Sequence, residues 1–131
     1  MNKKDLSVLK LKNLFSNNKI SPIYSNFRYQ LNTSVKKNKF LVAVSGGSDS
    51  LALSALSKIY SEEKKNKVFY TLVDHGIRVN SSKEALAVKN LFKKRGMTLK
   101  ILKNKKKINK NAQNHARIIR YKLLLNYCNK H

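Results

Sequence analysis

The chain has little of several things, and each shortage excludes something. A single cysteine, Cys128, stands in 131 residues. No intrachain disulfide framework is therefore available, and no C-x-x-C pair occurs for redox or zinc chemistry. Acidic residues number six against 29 Lys and Arg, a formal charge of +23. No apolar run is long enough to span a membrane. The start, Met1-Asn2-Lys3-Lys4-Asp5, leads into interrupted apolar residues rather than a secretory h-region. The expected setting is soluble and reducing.

The basic excess has two open explanations. Binding the phosphates of a nucleic acid is one. The other is an AT-rich coding bias, since only five basic residues are Arg and Asn is abundant at 16. Apolar content is ordinary at 41%, and the length suits one domain with a modest core.

What is present centres on Phe40–Leu53. An apolar run of strand length, Phe40–Val44, ends in Ser45-Gly46-Gly47-Ser48-Asp49-Ser50, and a helical pattern begins at once. The loop falls at the carboxyl end of a strand, where open α/β sheets bind ligands. Gly46 and Gly47 permit close approach and positive φ. Ser45, Ser48 and Ser50 supply hydroxyls, and the helix start favours an anion. Asp49 facing a pyrophosphate calls for an intervening Mg²⁺. The loop lacks the Lys-Ser/Thr pair of a Walker A sequence. The plain alternative is a turn before a helix capped by Ser48.

Residues 1–38 read as a basic lead-in with a weak stripe, Leu6, Leu9, Leu14 and Phe15, broken at Ser21-Pro22, and a short helix over Tyr24–Leu31. Residues 39–131 read as the core domain. Strands are expected over 39–44, 68–73 and 97–102. Helices are expected over 49–60, from a Ser81–Glu84 capping box to about Arg95 with Gly96 as its stop, and over 111–128. Residues 61–67 read as a polar linker and 103–110 as a charged loop. The alternating order implies right-handed crossovers and a parallel sheet with helices on both faces.

Two further groups carry chemistry. Asp74, His75 and Arg78 follow the second strand, so topology brings them to the same edge as Ser45–Ser50. Taken alone, an Asp-His-Gly group is better explained by a turn with a satisfied histidine. Arg117, Arg120 and Tyr121 share one side of the last helix, with Asn111 and Asn114 before them. Ala112, Ala116, Ile119, Leu123 and Tyr127 form a separate stripe expected to face the core. Two guanidinium forks projecting together can grip phosphate; a solvated basic face is the alternative.

Three separated blocks resemble one family. Ser45–Ser50 resembles the PP-loop of the N-type ATP pyrophosphatases. Val73-Asp74-His75-Gly76-Ile77-Arg78 with Ser82, Glu84, Ala85 and Val88, and Asn111 followed by Ala116-Arg117-Ile118-Ile119-Arg120-Tyr121, resemble blocks more specific to the N-terminal catalytic domain of the tRNA(Ile)-lysidine synthetases. Gln113 stands where that family usually has Glu, and Asn114 where it has a small residue.

The resemblance implies a PP-loop fold of the adenine nucleotide alpha-hydrolase kind. It also implies a ligase that adenylates the wobble cytidine of a CAU-anticodon isoleucine tRNA with ATP and then joins free L-lysine to it. Carried over by position, Ser45, Gly46, Gly47, Ser48 and Ser50 would cradle the pyrophosphate and Asp49 would hold Mg²⁺. Asp74 and His75 would lie in the nucleotide pocket. Arg117 would reach the α-phosphate, with Arg120 nearby. The family's later G-H-H-x-x-D-Q-x-E-T-like block and tRNA-binding portions do not occur before His131, so the chain reads as the N-terminal part of a catalytic domain. A homodimer is among the assemblies the resemblance leaves open. The Lys and Asn bias fits a low-GC bacterium or a plastid, hence cytoplasm or an organellar stroma or matrix. The competing readings are a tRNA-thiolating PP-loop enzyme and a basic RNA-binding remnant without catalysis.

Overall fold

The computed structural model describes residues 13, 16–36, 38–105 and 112–131. The stripe Leu6, Leu9, Leu14 and Phe15, the loop beyond residue 105 and Asn111 lie outside the described residues. The elements in order are α1 (Ser21–Ser34), β1 (Lys39–Val44), α2 (Ser48–Lys64), β2 (Lys67–Asp74), α3 (Ser81–Lys94), β3 (Leu99–Lys103) and α4 (Ala112–Lys130). The three strands form one parallel sheet in the order β1-β2-β3. The α/β parallel architecture expected from the sequence is thus present.

Alternation along the strands sorts their side chains between two faces. Val42, Val44, Tyr70, Leu72 and Leu99 are buried together with Ala85 and Phe92 of α3, and Leu51 of α2 packs against them. Two crossovers of one hand, stepping the same way along the sheet, leave α2 and α3 on this same face. The opposite face carries α4, whose Tyr127 ring meets Phe69 of β2 edge-on at 6.1 Å. Phe92 is the centre of the core, 1% exposed, with its ring 5.4 Å from Tyr70.

Helix ends show where local chemistry prevailed. Gly96 takes φ +68. Its N–H donates to Lys93 O and that of Met97 to Phe92 O, so α3 closes in a Schellman motif as its glycine predicts. Pro22 sits in the first turn of α1, where its missing N–H costs nothing.

Two expectations need correction. The capping box at Ser81 does not form: Asn80 is the N-cap of α3, without a side-chain cap bond. Ser82 is instead bonded to Asp74, and Glu84 pairs with Arg78. The polar stretch 61–67 is helical as far as Lys64, supported by the Lys58–Glu62 pair one turn apart. Lys65 then ends the helix at φ 55. On α4 the expected inner stripe is present among the described side chains: Ala116 is buried and Ile119, Leu123 and Tyr127 are half-buried, with Leu124 buried beside them; the Ala112 side chain lies outside the described ones.

α1 lies along α2. Phe27 and Phe40 both meet the Tyr60 ring edge-on, while Tyr24 and Arg28 both donate to Glu63.

Candidate nucleotide site

The carboxyl ends of β1 and β2 open into a cleft of about 760 Å³. That is in the range of small-molecule sites. Its walls come from both faces of the sheet: Ser81, Glu84, Ala85 and Val88 of α3 on one side, Gln113, Arg120 and Leu124 of α4 on the other.

The loop between β1 and α2 forms one end. Gly46 has φ +90, and a Cβ there would stand 2.9 Å from Val88 Cγ2. No larger residue fits this backbone. Ser50 organises the turn. Its hydroxyl accepts from the N–H groups of Ser45 at 3.2 Å and Gly46 at 3.1 Å, and donates to the Gly47 carbonyl at 3.0 Å. Gly47 is the N-cap of α2 and no side chain caps it. The alternative of a turn capped by Ser48 is therefore not what forms. Ser48 donates instead to Asp49 Oδ1 at 3.3 Å. First-turn N–H groups without a side-chain cap, at the positive end of a 17-residue helix, are suited to a phosphate.

Asp49 is an exposed carboxylate on this turn. Among the described residues no group of three His, Cys, Asp or Glu could cage a metal. A lone carboxylate still fits Mg²⁺, which keeps waters and is held jointly by one or two carboxylates and the phosphates of its ligand.

At the end of β2, Asp74 lines the cleft, and its own acceptors are already engaged. Oδ1 accepts from the Gly76 N–H at 3.1 Å and Oδ2 from the Ser82 hydroxyl at 2.7 Å. Burial acts to raise its pKa. The bonds from Ser82, Ser81 and Gly76 and the charge of Lys103 outweigh that and hold it below the usual carboxylate range. Asp74 therefore fastens the 74–82 loop across the cleft. The spacing of eight residues between Asp74 and Ser82 carries no periodic signal in sequence.

His75 lies beside it, with Arg120 Nη2 3.3 Å from its Nε2. Burial first, then the Arg120 charge, lower the pKa of the ring, against the opposing effect of Asp74. The two Arg residues of α4 diverge. Arg120 lines the cleft, whereas Arg117 is not part of the lining and stacks on Tyr121 at 5.4 Å. Thr71, Gln113 and Leu124 as cleft residues were not legible in the sequence, nor was the Val88 methyl that fills the space a side chain at position 46 would need.

A glycine turn feeding an uncapped helix at the edge of a parallel sheet, with basic side chains across the cleft, defines an α/β domain built to hold phosphate. The chain's residues 15–131 match the model of the PP-loop domain family, and the chain belongs to that family. It is similar to the tRNA(Ile)-lysidine synthase of Orientia tsutsugamushi (strain Boryong), 41% identical over 96 residues, covering 71% of this chain and 21% of the relative. The enzyme of the same name in Rickettsia rickettsii (strain Sheila Smith) is 34% identical over 110 residues, covering 81% and 23%. That of Rickettsia typhi (strain ATCC VR-144 / Wilmington) is 34% identical over 112 residues, covering 81% and 26%. The chain thus spans about a fifth to a quarter of the length of these curated relatives. Among the described residues no helix is long and apolar enough to cross a membrane.

Proposed function

We propose that this domain binds ATP with its phosphates on Ser45–Ser50 and serves the activation of tRNA(Ile) for attachment of L-lysine, a reading supported by relatives named for lysidine synthesis on tRNA(Ile). The observation that carries this reading is the start of α2 at Gly47, which no side chain caps, directly after a Gly46 held at φ +90. Its first-turn N–H groups suit an anionic ligand group.

In this reading the N–H groups of Gly47, Ser48 and Asp49 bind the pyrophosphate, and the Ser50 hydroxyl keeps the loop in shape. Asp49 would share Mg²⁺ with phosphate oxygens, and that cation would neutralise charge as the leaving group departs. Arg120 supplies a fixed positive charge at the other wall, and Arg117 turns in from Tyr121 to meet the α-phosphate. The tRNA oxygen attacks that phosphorus and pyrophosphate leaves. The lysine ε-amine then displaces AMP. Positioning and electrostatics carry the catalysis. A single cysteine and the Lys and Asn bias support a cytoplasmic or organellar setting.

The test is pyrophosphate release with ATP, Mg²⁺ and CAU-anticodon tRNA. Release is expected with Asp49 intact and none with Asp49→Asn, whose exposed position keeps the stability change within about 0.5 kcal/mol. Salt-dependent tRNA binding indifferent to Asp49→Asn, with no pyrophosphate released by either protein, would overturn the reading.

A further inference from the structure

The charge of this chain is not spread evenly. All six acidic residues lie at or before Glu84, while residues 85–131 hold 14 Lys and Arg and no Asp or Glu. Every described Lys and Arg after Glu84 is exposed. The ion pairs among the described residues are Arg28–Glu63, Lys58–Glu62 and Arg78–Glu84, and none involves a basic residue after Glu84. An AT-rich coding bias enriches Lys and Asn along a whole chain. It does not empty one part of acids and leave the cations there without carboxylate partners.

The fold lays part of this basic sequence along one side of the sheet. Among the described strands β3 pairs with β2 alone, so β3 is an edge. Lys93, Lys94 and Arg95 close α3 just before the amino end of that strand. Lys100 stands on the strand, Lys103 ends it and Lys105 follows. These six residues mark a line that runs the length of β3. Its carboxyl end meets the cleft. Lys103 is in register with Asp74, and the Asn104 N–H donates to the Asp74 carbonyl at 3.0 Å. Neighbouring strands lie about 4.8 Å apart, which puts this end of β3 about 10 Å from the strand that feeds Ser45–Ser50. Like charges crowded on one side repel one another, and a polyanion relieves that repulsion.

We propose that the β3 edge, from Lys93 at the end of α3 to Lys105, carries the phosphate backbone of an RNA and leads one of its nucleotides to the cleft. The choice of RNA rests on the tRNA reading above. The surface rests on charge and topology. Contacts of this kind set position and register without reading sequence. They leave the choice of nucleotide to the cleft.

Binding of the full chain to a CAU-anticodon tRNA across a salt series, read by fluorescence anisotropy, tests this against an equal change of charge elsewhere. One variant carries Lys94→Gln, Lys100→Gln and Lys105→Gln. The control carries Lys19→Gln, Lys36→Gln and Lys64→Gln, in and around α1 and α2. All six side chains are exposed, so both triples are expected to keep the thermal midpoint of the parent. Each lost phosphate contact lowers the slope of log K against log salt by about 0.7–0.9. The β3 triple is therefore expected to lower it by about 2, and the control by less than about 0.5. Equal slopes in the two triples would show that the lysines only guard the strand edge, and would overturn the proposal. So would a parent chain that binds no tRNA. Calorimetry with a non-hydrolysable ATP analogue separates this proposal from the ATP reading. The analogue is expected to bind the parent and the β3 triple equally. Weaker binding to the β3 triple would give these lysines to the nucleotide and overturn the RNA surface. No binding to the parent, with the slope difference intact, would overturn the ATP reading and leave the RNA surface standing.

Discussion

Ser82 donates its hydroxyl to the Asp74 carboxylate at 2.7 Å, joining the end of β2 to the start of α3. This one bond diverts the serines of α3 from capping their own helix and fixes the loop that forms the cleft's rim. Ser82→Ala should destabilise the fold by about 1.5–3 kcal/mol, the range for a bond to a charged group, read as a lower urea midpoint at unchanged slope. The Asp74 pKa is lowered in the native state. Its contribution is therefore present above the unfolded carboxylate value of about 3.9 and is lost as pH falls through the lower native value. Ser82→Ala should flatten the acid end of the stability profile.

Gly46→Ala should abolish nucleotide binding. The positive φ of +90 strains any side chain, and the new Cβ would meet Val88 Cγ2 at 2.9 Å. Adding Val88→Ala removes the clash but not the strain, which costs about 1–2 kcal/mol. The double variant should regain thermal stability over the single one while still binding nucleotide weakly by calorimetry. Full recovery of binding would show that the contact alone matters.

The His75 ring has a lowered pKa, first through burial and then through Arg120, with Asp74 opposing. Below the unfolded value of about 6.5 the unfolded chain binds a proton that the native ring does not. Stability should fall as pH drops through this window and rise with pH across it. Arg120→Gln removes one of the lowering causes, so the difference in urea midpoint between about pH 7.5 and about pH 5.5 should shrink. A difference that stays the same would show that Arg120 does not act on the ring.

Phe92→Ala should cost about 3–5 kcal/mol, because the site is 1% exposed and the lost ring is the edge-on partner of Tyr70. Against a typical stability of about 5–15 kcal/mol such a loss is a large fraction. The measurement is the midpoint of thermal unfolding, with no folded baseline at 37 °C as the extreme outcome.

The amino-acid order by itself determined the strands, the Ser45–Ser50 turn, the Gly96 helix stop and the parallel α/β plan. Each depends on neighbours within a few residues: apolar runs, glycine freedom, helical spacing. It also placed Asp74 and His75 near the loop, because successive parallel strands end on one edge. Only the tertiary structure decided which groups spend their bonds on one another. Asp74 took Ser82, Ser50 took the loop's own amides, and Arg120 turned from Arg117 toward His75. Those choices depend on how α4 seats on the sheet and on how far burial removes competing water. Neither quantity is written in the spacing of residues along the chain.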